Sequence, residues 1–294
     1  MLSLKFQRTF VGWLFILAPI LVIFSFSFYP MIQAFLLSLQ SGMGNHLEFV
    51  GFDNYIRLFK DPTFLAALKN TLIYLIFQVP IMLFLALILS VLLNYPGLKF
   101  KGFFRTAIFL PAVTSLVAYS VIFKYLFATD GLVNTFLQKF LFLPEPINWI
   151  TDPFWAKITI IIAITWRWTG YNMVFYLAAL QNIDREIYEA AKIDGASSIQ
   201  QFFKITVPML KPIILFTTIT STIGTLQLFD EVMNLTYGGP GNATLTISQY
   251  IYYLSFKYTP DFGYAATVSY VILILIVVLS FLQLKVTGDR NEKI

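Results

Sequence analysis

Residues 70–98 read NTLIYLIFQVPIMLFLALILSVLLNYPGL, without one charged side chain. A bilayer core about 30 Å thick needs roughly 20 apolar helical residues to cross it. This run is long enough, and no soluble core requires such a stretch. The rest of the chain agrees. Of 294 residues 58% are hydrophobic and 12% charged, with 31 Phe and 16 Tyr. Soluble domains carry about 25% charged residues. The chain contains no cysteine, which excludes disulfides, thiol nucleophiles and thiolate metal sites. Its single histidine, His46, falls in a polar stretch, where it reads as a solvated loop residue rather than one member of a metal site.

Working outward from that run, spans are expected at about 10–38, 70–93, 104–127, 156–181, 209–230 and 262–284. They give an all-α, polytopic membrane protein of about six helices, organised as a single domain over 1–294. The first apolar run has the basic flank of a signal peptide in Lys5 and Arg8. It lacks a small-residue cleavage pattern and reads as a retained helix. Pro19, Pro30, Pro80 and Pro111 fall in or beside the spans, where neighbouring helices satisfy the freed carbonyls. Leu245–Phe256 and Phe136–Leu143 are apolar but too short to cross, and read as interfacial or partly buried helices.

The basic residues set an orientation. Lys5, Arg8, Lys99, Lys101, Arg105, Arg185, Lys192, Lys204, Lys211, Lys285, Arg290 and Lys293 fall on one side, 12 of the 20 basic residues. By the positive-inside rule that side is the cytoplasm, and both termini lie there. The modest net charge of +5, spread over many loops, gives no nucleic-acid footprint.

The segment from Asn182 to Pro212 reads NIDREIYEAAKIDGASSIQQFFKITVPMLKP. Its apolar residues recur at helical spacing, with Asp184 as N-cap. Gly195 ends the helix, and Ser197 or Ser198 caps a second short one. Ala190, Ala191 and Ala196 keep one face thin enough for another backbone to approach. The same pattern also suits an amphipathic loop lying on lipid headgroups. The spacing Glu189-Ala190-Ala191-x3-Gly195-x9-Ile205-x2-Pro208, with Tyr188 before it and Asp194 and Ala196 around the glycine, resembles the EAA loop of ATP-binding-cassette importer permeases. Further similarity lies in Gly51-Phe52-Asp53-Asn54-Tyr55, in Leu110-Pro111 and in Leu235-Thr236-x-Gly238-Gly239-Pro240. Together these resemble the permeases of maltose- and multiple-sugar-type importers, the first of their two dissimilar permease subunits.

That resemblance implies a type I importer permease fold in a bacterial or archaeal cytoplasmic membrane. It implies as partners a second permease subunit, two ATPase subunits, an external solute-binding protein, a sugar and membrane lipid. ATP and Mg would be held by the ATPase subunits. This chain has no G-x-x-x-x-G-K-[ST] phosphate loop and is expected to bind no cofactor and to be no enzyme. The EAA residues Tyr188, Glu189, Ala190, Ala191, Asp194, Gly195, Ala196, Ile205 and Pro208 would couple to the ATPase.

A sugar path needs hydrogen-bonding groups and aromatic faces. The fourth span offers Trp166, Arg167, Trp168, Thr169, Gly170, Tyr171 and Asn172; the fifth offers Ser221, Thr222, Gly224, Thr225, Gln227 and Asp230. The resemblance carries solute contact to Trp168, Thr169, Gly170, Met173, Ser221, Gly224 and Thr225. Small polar residues in membrane helices also serve helix packing alone. Arg167, a charge inside a span, requires a cavity or partner, and Asp230 and Glu231 are its candidate counter-ions. Competing readings are an importer of an anionic solute such as a glycerol phosphodiester and a secondary transporter or channel. The latter should show buried coupling carboxylates, absent from the spans away from Asp230. A membrane enzyme would need paired carboxylates or clustered histidines, which the sequence lacks.

Overall fold

The computed structural model describes residues 4–43, 46–142 and 144–287; Arg290 and Lys293, used for the orientation, and Leu143 lie outside the described residues. Along the chain, α1 (Leu4–Ile23), a wide π-turn (Phe24–Phe28) and α2 (Tyr29–Ser38) follow one another without a break. Strands β1 (Gln40–Met43) and β2 (His46–Phe49) form an antiparallel hairpin, Gln40 opposite Phe49. The all-helical expectation did not include it. Next come α3 (Asp53–Leu58), α4 (Pro62–Asn94), α5 (Lys101–Val113), α6 (Leu116–Leu126), α7 (Leu132–Leu141) and α8 (Pro153–Leu180). The loop helices are α9 (Arg185–Ile193), α10 (Ser198–Gln201) and, after a π-turn, α11 (Val207–Met209). The chain continues through α12 (Lys211–Leu226), α13 (Asp230–Leu235), α14 (Ile247–Tyr252) and α15 (Phe262–Thr287).

Among the described residues three helices are long and apolar enough to cross a membrane: Val11–Ser38, Pro62–Asn94 and Phe262–Val286. Two bent pairs raise that to five if each is one span. In the first, α5 and α6 meet at 100° where a straight span over 104–127 was expected. Thr114 and Ser115 are extended there, and the Thr114 hydroxyl donates to the Pro111 carbonyl at 2.7 Å, supplying a hydrogen bond at the break. In the second, Ser198–Met209 and α12 meet at 71°. The remaining expected span corresponds to α8. Its 28 residues reach about 42 Å, but buried Arg167, Thr169 and Asn172 make it too polar to read as a lipid-facing rod.

The chain divides into two compact units, Met1–Asp61 with Ile251–Val271 and Pro62–Tyr250 with Ile272–Ile294. In the first, the Gly51–Tyr55 signature is structural. The buried Asn54 amide donates to the carbonyls of Ser38 (3.0 Å) and Gln40 (2.8 Å), fixing α3 to the root of the hairpin. Arg57 pairs with Asp261 at 2.8 Å and stacks over Tyr264, whose hydroxyl reaches Asp61.

In the second unit α4 and α8 pack along each other, and α5 crosses α8 closely. Gly170 permits the crossing: a Cβ there would overlap the Ile108 carbonyl. Two apolar clusters form. Tyr74, Phe123, Trp149, Ile160 and Val232 belong to one; Val79, Met82, Ala86, Met173 and Leu177 belong to the other. Asp152 caps α8 by accepting from the Phe154 and Trp155 amides, with Pro153 in the first turn, where its missing N–H is harmless. Of the two short apolar stretches, Leu245–Phe256 is largely helical and buried, whereas residues 136–141 are helical and mostly exposed, α7 being held by a residue before them. Asn134 of α7 receives the Trp149 indole N–H, and Ile247 and Tyr250 of α14 are buried.

Candidate functional site

A cavity of about 340 Å³ lies in the second unit, lined by parts of both apolar clusters. Helix α8 contributes Ile164, Trp168, Tyr171 and Asn172, spaced as one helical face. Helix α12 contributes Thr220, Ser221, Gly224 and Thr225. The chain then leaves the helix at Gln227, and α13 starts with Asp230 and Glu231, carboxylates suited to a helix N-terminus. Gln78 and Met82 of α4 and Leu116 of α6 complete the wall.

Trp168 organises one side. Its ring packs against both clusters and meets Tyr171 edge-on, with centroids 5.7 Å apart. Its indole N–H donates to the buried Glu231 carboxylate at 3.3 Å. The opposite polar group is a set of amides. The Thr225 hydroxyl donates to Gln78 Oε1 at 3.3 Å, and Gln78 Nε2 points to Met82 Sδ at 3.1 Å. The charges on the lining are Asp230 and Glu231, both acidic. The cavity thus offers an aromatic corner, hydroxyl and amide groups, and carboxylate acceptors.

Of the residues expected to contact solute, Trp168, Asn172, Ser221, Gly224, Thr225 and Gln227 come together on this lining. The others lie elsewhere. Trp166 is half-exposed and packs on Tyr119 and Phe123. Thr169 turns its hydroxyl back to the Thr165 carbonyl, Gly170 sits against α5, and Met173 is fully buried in the apolar cluster. Arg167 is 6% exposed, and the expected ion pair with Asp230 or Glu231 is not made. Its guanidinium carbon stands 5.0 Å from the Tyr119 ring and 5.5 Å from the Trp168 ring, while Nε and Nη1 lack a hydrogen-bond partner. The cation therefore rests on aromatic faces, with the Glu231 carboxyl near enough to interact electrostatically but not as a direct ion pair. Tyr171 and Asp230, offered by the same two spans, also lie on the lining, whereas Gln78 and Met82 were not among the expected contacts. Gln78 is the signal that was available: an amide inside the charge-free run 70–98.

The expected coupling segment has the geometry that its spacing suggests. Asp184 precedes α9 in extended conformation, without a side-chain cap bond. Gly195 has φ +82°, and the amides of Gly195 and Ala196 return to the carbonyls of Lys192 and Ala191. That is a Schellman stop, which favours glycine at this position. Ser197 and Gln200 form a reciprocal capping box for α10. Tyr188 meets Thr206 through their hydroxyls at 3.0 Å, tying α9 to the return helix. Glu189, Ala190, Asp194 and Pro208 are exposed, Ala191, Ala196 and Ile205 half-buried, and Ile193 is 86% exposed.

Among the described residues no group of three metal-ligating side chains occurs. Residues 99–286 match the family described as binding-protein-dependent transport system inner membrane component. The chain is 59% identical over 291 residues to the lactose transport system permease protein LacF of Rhizobium radiobacter, covering 98% of each. It is 39% identical over 264 residues to the arabinooligosaccharides transport system permease protein AraP of Halalkalibacterium halodurans, covering 89% of this chain and 83% of the relative. A chain from the crystal structure of a bacterial ABC transporter involved in import of the acidic polysaccharide alginate shares the fold. Its TM-score is 0.85 over 98% of both chains at 22% identity. The bent helices, the capped loop and these matches lead to one conclusion: the chain belongs to the family of binding-protein-dependent transport system inner membrane components.

Proposed function

We propose that this chain is a transmembrane permease subunit of an ATP-driven importer of neutral sugars, of disaccharide or short oligosaccharide size. The observation that carries the reading is the 59% identity, across 98% of both chains, to a lactose transport system permease. The cavity supports it. Trp168 and Tyr171 offer aromatic surface for a sugar ring, and Gln78, Asn172, Thr225 and Glu231 offer hydrogen bonds. Its volume falls in the usual range for small-ligand sites. Asp230 and Glu231 would repel an anion, and no lysine or arginine lines the wall to offset them. An anionic solute such as a phosphodiester is therefore the weaker reading.

The chain supplies one half of the path and a second permease subunit the other. An external solute-binding protein delivers the sugar; one such periplasmic protein accompanies the alginate transporter of like fold. The complex sits in a bacterial or archaeal cytoplasmic membrane, and hydrolysis of ATP belongs to two partner ATPase subunits. Residues 183–208 dock on one of them. Exposed Ile193 and Ile199, with the small side chains of Ala190, Ala191 and Ala196, form the contacting face. The Schellman turn and capping box keep the two short helices at a fixed angle, so movement of the ATPase is passed to the attached α8 and α12. The test is reconstitution of the four-subunit complex with its binding protein in proteoliposomes. ATP-dependent uptake of lactose or a short oligosaccharide is expected. Absence of ATP-dependent uptake across a panel of neutral saccharides would reject the reading.

A further inference from the structure

The cavity contains two buried amides whose donors are poorly matched. Gln78 is 1% exposed and Asn172 3% exposed, and both line the wall. The Thr225 hydroxyl donates to Gln78 Oε1, which leaves the Gln78 NH2 facing Met82 Sδ at 3.1 Å. Asn172 Nδ2 reaches the same sulfur at 3.7 Å and also donates to the Trp168 carbonyl at 3.0 Å. A thioether is a weak acceptor. A buried amide held on sulfur has therefore forgone most of the hydrogen bond it could make. Met82 lines the same cavity, and methionine is unbranched and adaptable, able to move aside at small cost.

We infer that Gln78 is a specificity-determining residue of the solute path: its amide exchanges the Met82 sulfur for a hydroxyl oxygen of the sugar. Met82 acts as a stand-in acceptor while the cavity is empty. This rests on the sugar-importer reading and adds to it a residue of α4 that reads one hydroxyl. A site built to hydrogen-bond a hydroxyl rejects the analogue that lacks it, because its own polar group is left unpaired. Here the sulfur takes the amide back, which softens the penalty. The discrimination is accordingly modest, roughly three- to tenfold, the factor that one neutral hydrogen bond represents.

The experiment compares wild type, Gln78→Leu and Met82→Leu in the reconstituted complex with its binding protein. Uptake is measured for lactose and for a set of singly deoxygenated lactoses. The binding protein's own preferences cancel in the ratio of variant to wild type. Gln78→Leu should lower lactose uptake roughly three- to tenfold and leave uptake of one deoxy analogue unchanged, the one lacking the hydroxyl that Gln78 reads. Met82→Leu removes the stand-in acceptor at nearly constant volume, so it should sharpen the profile: uptake of that one deoxy analogue falls further below uptake of lactose than in wild type. An equal loss for every sugar in Gln78→Leu would make the amide a packing element and overturn the proposal. So would damage in Met82→Leu matching that in Gln78→Leu. If wild type transports neither lactose nor its analogues while the complex still hydrolyses ATP, the lactose reading falls and takes this proposal with it. That result is distinct from a wild type that transports and a Gln78 variant that discriminates normally.

Discussion

Trp168 shows how much one side chain in a membrane helix can hold. Its ring bridges two apolar clusters, and its N–H is a donor to the buried carboxylate of Glu231. Trp168→Phe keeps most of the apolar contact and removes that donor. A hydrogen bond to a charged group is worth about 1.5–3 kcal/mol, so the variant should lower the unfolding midpoint of the purified complex. Adding Glu231→Gln replaces the charge with an amide that bears the missing donor less heavily, and should recover part of the loss. Strictly additive losses in the double variant would show that the two groups are not coupled. The same neighbourhood marks what sequence could reveal. Arg167 inside a span signalled burial, since a charge there faces protein or water rather than lipid. Its partner was not legible, because an opposite charge on another span says nothing about helix phase. Gly170 illustrates the complementary error source. A small residue in a polar cluster suits close approach of solute or of backbone equally well, and here α5 occupies that side.

At the scale of elements, turn chemistry was more legible than span geometry. Glycine and serine at fixed offsets specify a stop and a start locally, and both form as the spacing of residues 195–200 suggests. The hairpin at Gln40–Phe49 has no alternating apolar pattern to betray it. The 100° break between α5 and α6 was hidden by continuous hydrophobicity, which measures affinity for lipid and is blind to direction. For the loop, the decisive substitution is Gly195→Val. A Cβ at Gly195 would meet nothing within 4 Å, so any effect comes from the backbone. Its φ of +82° lies in left-handed territory, where an L side chain costs about 1–2 kcal/mol. The turn should open, and coupled uptake should fall about tenfold, the factor that about 1.4 kcal/mol represents, with membrane insertion unchanged. Ser197→Ala removes half of the capping box, costs about 1 kcal/mol and should give a milder loss in the same assay. Uptake at the wild-type level in Gly195→Val, with ATP hydrolysis still coupled to it, would mean that the loop's angle is irrelevant to transport.

At the scale of the whole molecule, the orientation in the membrane is the quantity that distribution of charge bears on most directly. Twelve of 20 basic residues cluster in the segments between alternate spans and near the termini, and cationic loops resist translocation. We propose that the three long apolar helices, the two bent pairs and α8 each cross once, an even number of crossings. Ile193 in the capped loop should then face the cytoplasm, with both termini on its side, and Thr151 before α8 should face outside. The absence of native cysteine makes the test clean, because every introduced thiol is the sole one in the chain. Thr151 and Ile193 are exposed, so neither substitution disturbs a packed core. In intact cells a membrane-impermeant maleimide should label Thr151→Cys and leave Ile193→Cys and Asn291→Cys unmodified. After the membrane is opened, all three should react. Labelling of Ile193→Cys from outside would invert the molecule and place the coupling loop away from any ATPase. Labelling of Asn291→Cys alone would instead mean an odd number of crossings. In that case the bent pair between Ile193 and Asn291, Ser198–Met209 with α12, would enter and leave by the same face, a re-entrant loop rather than a span. The two failures therefore point to different elements, the first to the charge distribution and the second to the break at Leu210.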